Sequence, residues 1–174
     1  PNAVHFYVAF MATLKLGGVA VNMEEGLSPE QISKNMIRSE VKAVFFDDLS
    51  RNVLIEVARE FPDTFKDFKA FVQLQIDDVL PGFPERTEDL ETIGNIEVAD
   101  YRRVIRTTSD EDPVAKYGIE INLSDVAFEQ FTSGTTGEPK RVAHTQQSWM
   151  TIALSTGQFY RVPFGKRETV LAVL

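Results

Sequence analysis

The sequence predicts an α/β fold in which a mostly parallel sheet is covered by helices. Three observations carry that expectation. Segments with apolar residues at helical spacing alternate with short β-branched runs from the N-terminus onward, the helices are bounded by recognisable capping residues, and a loop rich in Ser, Thr and Gly is flanked by β-prone runs.

Residues 4–16 place Val4, Tyr7, Val8, Met11, Ala12 and Leu14 at helical spacing, and Gly17-Gly18 supplies the glycine that commonly follows a helix C-terminus. Val19-Ala20-Val21 is a short strand. Ser28-Pro29-Glu30-Gln31 then reads as an N-cap serine, a proline in the first helical turn and a glutamine placed for a capping box. The run 41–46 is β-branched and aromatic, ends at Asp47-Asp48, and precedes a helical pattern over 51–60. Residues 70–76 add a further strand. Strand and helix thus alternate, as in parallel sheets.

Residues 77–124 differ in composition. Pro81, Gly82, Pro84, Gly94, Pro113 and Gly118 punctuate a mostly acidic stretch with one helical pattern, at 98–106, so it reads as a long acidic connection within a single incomplete domain spanning 1–174. Residues 125–131 return to strand character. The start at Pro1-Asn2, without Met or a leader pattern, and the end on the apolar run 170–174 give the expectation of an internal piece of a larger enzyme.

Bulk properties remove several function classes. A formal net charge of -8 argues against a broad phosphate-tracking surface for nucleic acid. With no cysteine, and only His5 and His144, no disulfide framework, thiolate cluster or zinc site is expected. Charged or polar residues interrupt every apolar run well before the ~20 residues needed to cross a bilayer. The composition suits the cytoplasm; it leaves the oligomeric state open.

Chemistry concentrates in Thr132-Ser133-Gly134-Thr135-Thr136-Gly137-Glu138-Pro139-Lys140. Two glycines let the backbone approach a ligand, so that successive amides can converge on an anion. Four hydroxyls add donors, Lys140 adds a positive charge, and Pro139 fixes the backbone just before it. The natural guest is a polyphosphate; the plain alternative is a hydrophilic turn. A Walker loop is disfavoured, because Arg141 follows Lys140 where that motif needs Ser or Thr.

The loop 132–140 resembles the phosphate-binding signature of the adenylate-forming superfamily, which includes acyl-CoA synthetases, aryl-CoA ligases, luciferases and peptide-synthetase adenylation domains. A second likeness lies at Pro1-Asn2 and residues 6–22, with Leu14-Lys15-Leu16-Gly17-Gly18-Val19-Ala20-Val21. A third covers 31–46, including Met36, Ser39 and Lys42. The resemblance implies part of the family's large N-terminal domain, with a β-hairpin carrying the loop. It implies an acid–thiol ligase: a carboxylic acid attacks the α-phosphate of ATP, pyrophosphate leaves, and a thiol, usually coenzyme A, takes the acyl group.

On that resemblance Thr132, Ser133, Gly134, Thr135, Thr136, Gly137 and Lys140 bind the ATP phosphates, Mg2+ accompanies the nucleotide, and no catalytic residue or protein metal ligand lies within the chain. The family's adenine- and metal-binding Thr-Glu motif, its ribose-binding aspartate and its C-terminal lysine fall past Leu174. The piece alone is therefore expected to be inactive. Its rival is a non-catalytic nucleotide-binding or scaffolding module that keeps the loop. The family often has glycine where Arg141 stands; a phosphate contact is one reading of this arginine, and a solvent-facing position at a strand edge is the favoured one. His144 reads as a packed or capping residue rather than a catalytic one, since no carboxylate partner is in sight, and Trp149, Met150 and Ile152 as helix core rather than ligand-binding. Residues 141–144 form the return strand, followed by a helix from about Thr145 to Tyr160 and a last strand at 170–174, with 133–137 mobile.

Overall fold

The computed structural model describes residues 4–74, 92–109, 111–132 and 139–159. They fall into two compact units. One holds residues 4–11 and Met23–Asp112; the other holds Ala12–Asn22 and the described residues from Pro113 onward.

Helix α1 spans Val4–Lys15. It ends as its glycines predict. Gly17 has φ +69°, its amide donates to the Leu14 carbonyl at 3.0 Å, and the Gly18 amide donates to the Thr13 carbonyl at 2.9 Å. This pair of bonds satisfies carbonyls that a helix end otherwise leaves open. The second glycine answers a steric need: a Cβ at Gly18 would lie 3.0 Å from Thr13 Cγ2.

In the first unit, strands β2 (Ala43–Phe46), β3 (Ala70–Gln73) and β5 (Ile96–Asp100) run parallel, and β4 (Thr92–Ile93) closes a hairpin on β5, giving the order β2-β3-β5-β4. Helices α2 (Pro29–Arg38) and α3 (Arg51–Glu60) belong to the same unit. The capping box of α2 forms in full: Ser28 Oγ accepts from the Gln31 amide at 3.3 Å and the Ser28 amide donates to Gln31 Oε1 at 2.9 Å. Before α3, Asp47 Oδ1 accepts from both the amide and the hydroxyl of Ser50.

Phe46, Leu54, Phe71, Ile93 and Val98 form one buried cluster; Ile32, Met36 and Val57 form another. Each such side chain contributes about 1.5–3 kcal/mol by leaving water. A buried hydrogen bond of 2.6 Å joins the Ser33 and Thr64 hydroxyls, so neither is left unsatisfied by the packing around it.

The helix expected over 98–106 forms over Tyr101–Thr107, and its start is corrected. Val98, Ala99 and Asp100 complete β5, where Val98 pairs with Phe71, and Asp100 then caps α4 (Tyr101–Thr107) by accepting from the Arg103 amide at 2.9 Å. Burial of Val98 against the parallel sheet overrides its local helical pattern. The stretch read as an acidic connection holds β4, β5, α4 and the short α5 (Pro113–Tyr117) in its described part. Residues 75–76 of the expected third strand and the expected strand at 170–174 lie outside the described residues.

The second unit is built on β1 (Ala20–Asn22), β6 (Val126–Thr132) and β7 (Lys140–Thr145), in the order β1-β6-β7, with α6 (Gln146–Phe159) following β7. β6 pairs parallel with β1 and antiparallel with β7. The α/β class is therefore that of the sequence reading. Among the described residues no helix is long and apolar enough to cross a membrane.

Candidate functional site

The glycine-rich segment leaves from one strand and returns into another. β6 ends at Thr132 and β7 begins at Lys140, and these two residues pair at the loop end of the hairpin, where the Thr132 hydroxyl donates to the Lys140 carbonyl at 3.4 Å. Both are exposed. An ammonium and a hydroxyl thus stand where the loop departs and returns, and both can donate to an anion. Ser133, Gly134, Thr135, Thr136 and Gly137 lie outside the described residues, and with them the expectation of mobility at 133–137.

Successive strand side chains alternate between faces. Phe128, Gln130 and Thr132 share one face with their partners His144, Val142 and Lys140; Glu129 and Phe131 share the other with Ala143 and Arg141. The alternation puts Lys140 and Arg141 on opposite faces. The reading of Arg141 as solvent-facing is therefore only half right: its side chain is 42% exposed, but Nη1 lies 3.7 Å from Glu129 Oε1. Sequence reasoning missed Glu129. The available signal was a carboxylate at the alternation position between Ala127 and Phe131, both of which are buried.

His144 packs, as expected, with its ring stacked on Phe128 at 4.8 Å and 12°. Trp149 meets the same phenylalanine edge-on at 5.7 Å. The helix begins directly after Thr145, whose hydroxyl accepts from the Ser148 amide at 3.2 Å, while the Gln146 and Gln147 amides donate to the carbonyls of Asp125 and Leu123. Its first-turn amides are thereby tied to the segment before β6. In a Walker arrangement they would instead face the loop.

Reading Trp149, Met150 and Ile152 as core is corrected: they are 37%, 52% and 51% exposed, and α6 buries none of its residues. A three-stranded sheet covers an uncharged helix along one side at most. In the first unit, burial pushes the Tyr101 phenol above its ordinary pKa, and His5 meets that ring edge-on at 4.9 Å. Among the described residues no group of three or more His, Cys, Asp or Glu could hold a metal ion.

Comparison with known proteins gives the same direction as the hairpin. A family model described as AMP-binding enzyme matches residues 1–174. A long-chain-fatty-acid–CoA ligase of Mycobacterium tuberculosis is 29% identical over 89% of this chain and 25% of its own length. A probable CoA ligase of Humulus lupulus is 28% identical over 94% of this chain and 27% of its own. Among solved structures, the inhibitor-bound N-terminal domain of FACL13 from Mycobacterium tuberculosis superposes with TM-score 0.66 and 26% identity, covering 91% of this chain and 32% of that one. The chain spans about a quarter of the length of these curated relatives. Taken with the α/β architecture and the hairpin-mounted loop, the match over all 174 residues means that the chain belongs to the AMP-binding enzyme family.

Proposed function

We propose that this chain supplies the ATP-phosphate-binding part of an acid–thiol ligase of the acyl-CoA synthetase kind, within a single domain that the 174 residues do not complete. The observation that carries the reading is the hairpin that sets an exposed Lys140 across from Thr132 at the mouth of the glycine-rich loop. In this reading Thr132, Ser133, Gly134, Thr135, Thr136, Gly137 and Lys140 hold the phosphates of ATP. A carboxylic acid attacks the α-phosphorus, the bond to the bridging oxygen breaks, and pyrophosphate departs with that electron pair. A thiol, with coenzyme A as the acceptor, then displaces AMP from the acyl group.

The loop contributes position and charge stabilisation, since the displacement needs little covalent chemistry from protein. Mg2+ would neutralise phosphate charge and arrive with the nucleotide. The family's names for long-chain and other CoA ligases support an acyl substrate without fixing its length. The cytoplasm suits such a reaction.

The test is direct binding of Mg2+-ATP to the chain. Lys140→Ala should weaken it by about tenfold or more, the loss of one charge-assisted contact. In an intact ligase carrying this segment, the same change should raise KM for ATP and leave KM for the acid unaltered. A raised KM for the acid alone contradicts the assignment. The chain by itself should not catalyse ATP–pyrophosphate exchange; exchange that Lys140→Ala abolishes would overturn that part of the proposal.

A further inference from the structure

Glu129 is a charged residue in an apolar row. Across the sheet it stands between Val21 of β1 and Ala143 of β7, and along β6 its face-sharing neighbour is Phe131, 6% exposed, while Ala127, 1% exposed, lies at the register shift between Val126 and Phe128. The Glu129 side chain is itself only 12% exposed, and its Oε2 is buried without a hydrogen-bond partner. A carboxylate so placed is costly unless a counter-ion faces it. Arg141 provides one from the diagonal position on the neighbouring strand, with Nη1 3.7 Å from Oε1.

We propose that Glu129 and Arg141 are a register-fixing pair for the β6–β7 hairpin, and that through this pair Lys140 is held opposite Thr132. A slip of one residue that set Val142 opposite Phe131 would carry Arg141 to the other face, take its cation from Glu129 Oε1, and turn Lys140 away from the Thr132 face; a slip in the opposite sense would put Lys140 itself in the place of Arg141 beside Glu129. The charged pair makes the first slip expensive where the small residues around it would not; in the second, lysine merely replaces arginine at the carboxylate. Arg141 thereby acts as a positioning residue through Lys140. The link to phosphate rests on the proposed function; the link to register does not.

The experiment is amide hydrogen exchange over 140–145 in the full chain without nucleotide, with 70–73 in the first unit as the internal reference. Arg141→Ala should speed exchange in 140–145 by about tenfold. Glu129→Gln combined with Arg141→Ala should restore most of the protection, because the neutral amide no longer needs a counter-ion. The swapped pair, Glu129→Arg with Arg141→Glu, should do no better than Arg141→Ala, since it puts the longer cation into the apolar row. Unchanged exchange in Arg141→Ala overturns the proposal, as does a double variant whose losses merely add. Mg2+-ATP binding by Lys140→Ala is read in parallel. If that variant binds like the parent while the exchange cycle holds, the nucleotide reading fails and the register pair stands.

Discussion

His144 lies flat over Phe128, the two rings 4.8 Å apart and inclined by 12°, so that the histidine joins the return strand to the central strand of its sheet. His144→Ala should lower the stability of that unit by about 1 kcal/mol, the size of an aromatic pair beyond its area, and His144→Phe should recover most of it. The chain's single tryptophan, Trp149, touches the same phenylalanine, so its fluorescence during urea unfolding follows the right region. Equal loss in both variants would point to a role for the imidazole itself.

Ser28→Ala removes the hydroxyl that accepts from the Gln31 amide. The expected cost is about 1 kcal/mol, seen as a lower unfolding midpoint in the first unit, and Ser28→Asp should restore the midpoint.

Phe71 is fully buried and touches Phe46, Phe65 and Phe68. Phe71→Ala should destabilise the first unit by about 3–5 kcal/mol, and Phe71→Leu by much less. Circular dichroism on heating distinguishes the two.

Burial raises the pKa of Tyr101, which favours the neutral phenol in the folded chain. Its contribution is therefore fully present below the unfolded tyrosine value of about 10 and is lost as pH rises through the higher folded value. Unfolding midpoints measured from pH 9 upward should fall less steeply in Tyr101→Phe than in the parent.

Legibility followed locality. The α2 capping box, the glycine stop of α1 and the hairpin around the loop were readable because each is decided within a few residues, by Ser28 with Gln31, by Gly17 with Leu14, and by the β-prone runs on either side of 132–140. Val98 was misread because its strand state depends on Phe71, far away in sequence. Arg141 was half read for a similar reason: its counter-ion sits on the neighbouring strand at a diagonal position that no spacing rule within one run exposes. Trp149, Met150 and Ile152 carry a pattern that states what could be buried, and says nothing about how much sheet is present to bury it.

The parallel pairing of β1 with β6 joins Ala20 to Phe128, across roughly a hundred residues that include nearly all of the first unit. During synthesis the first unit emerges whole and can condense on local and mid-range contacts, whereas β1 must wait for its hydrogen-bonding neighbour to leave the ribosome. The hairpin bearing the loop therefore completes its sheet last, and its seating reports that everything encoded between the two strands has already been translated.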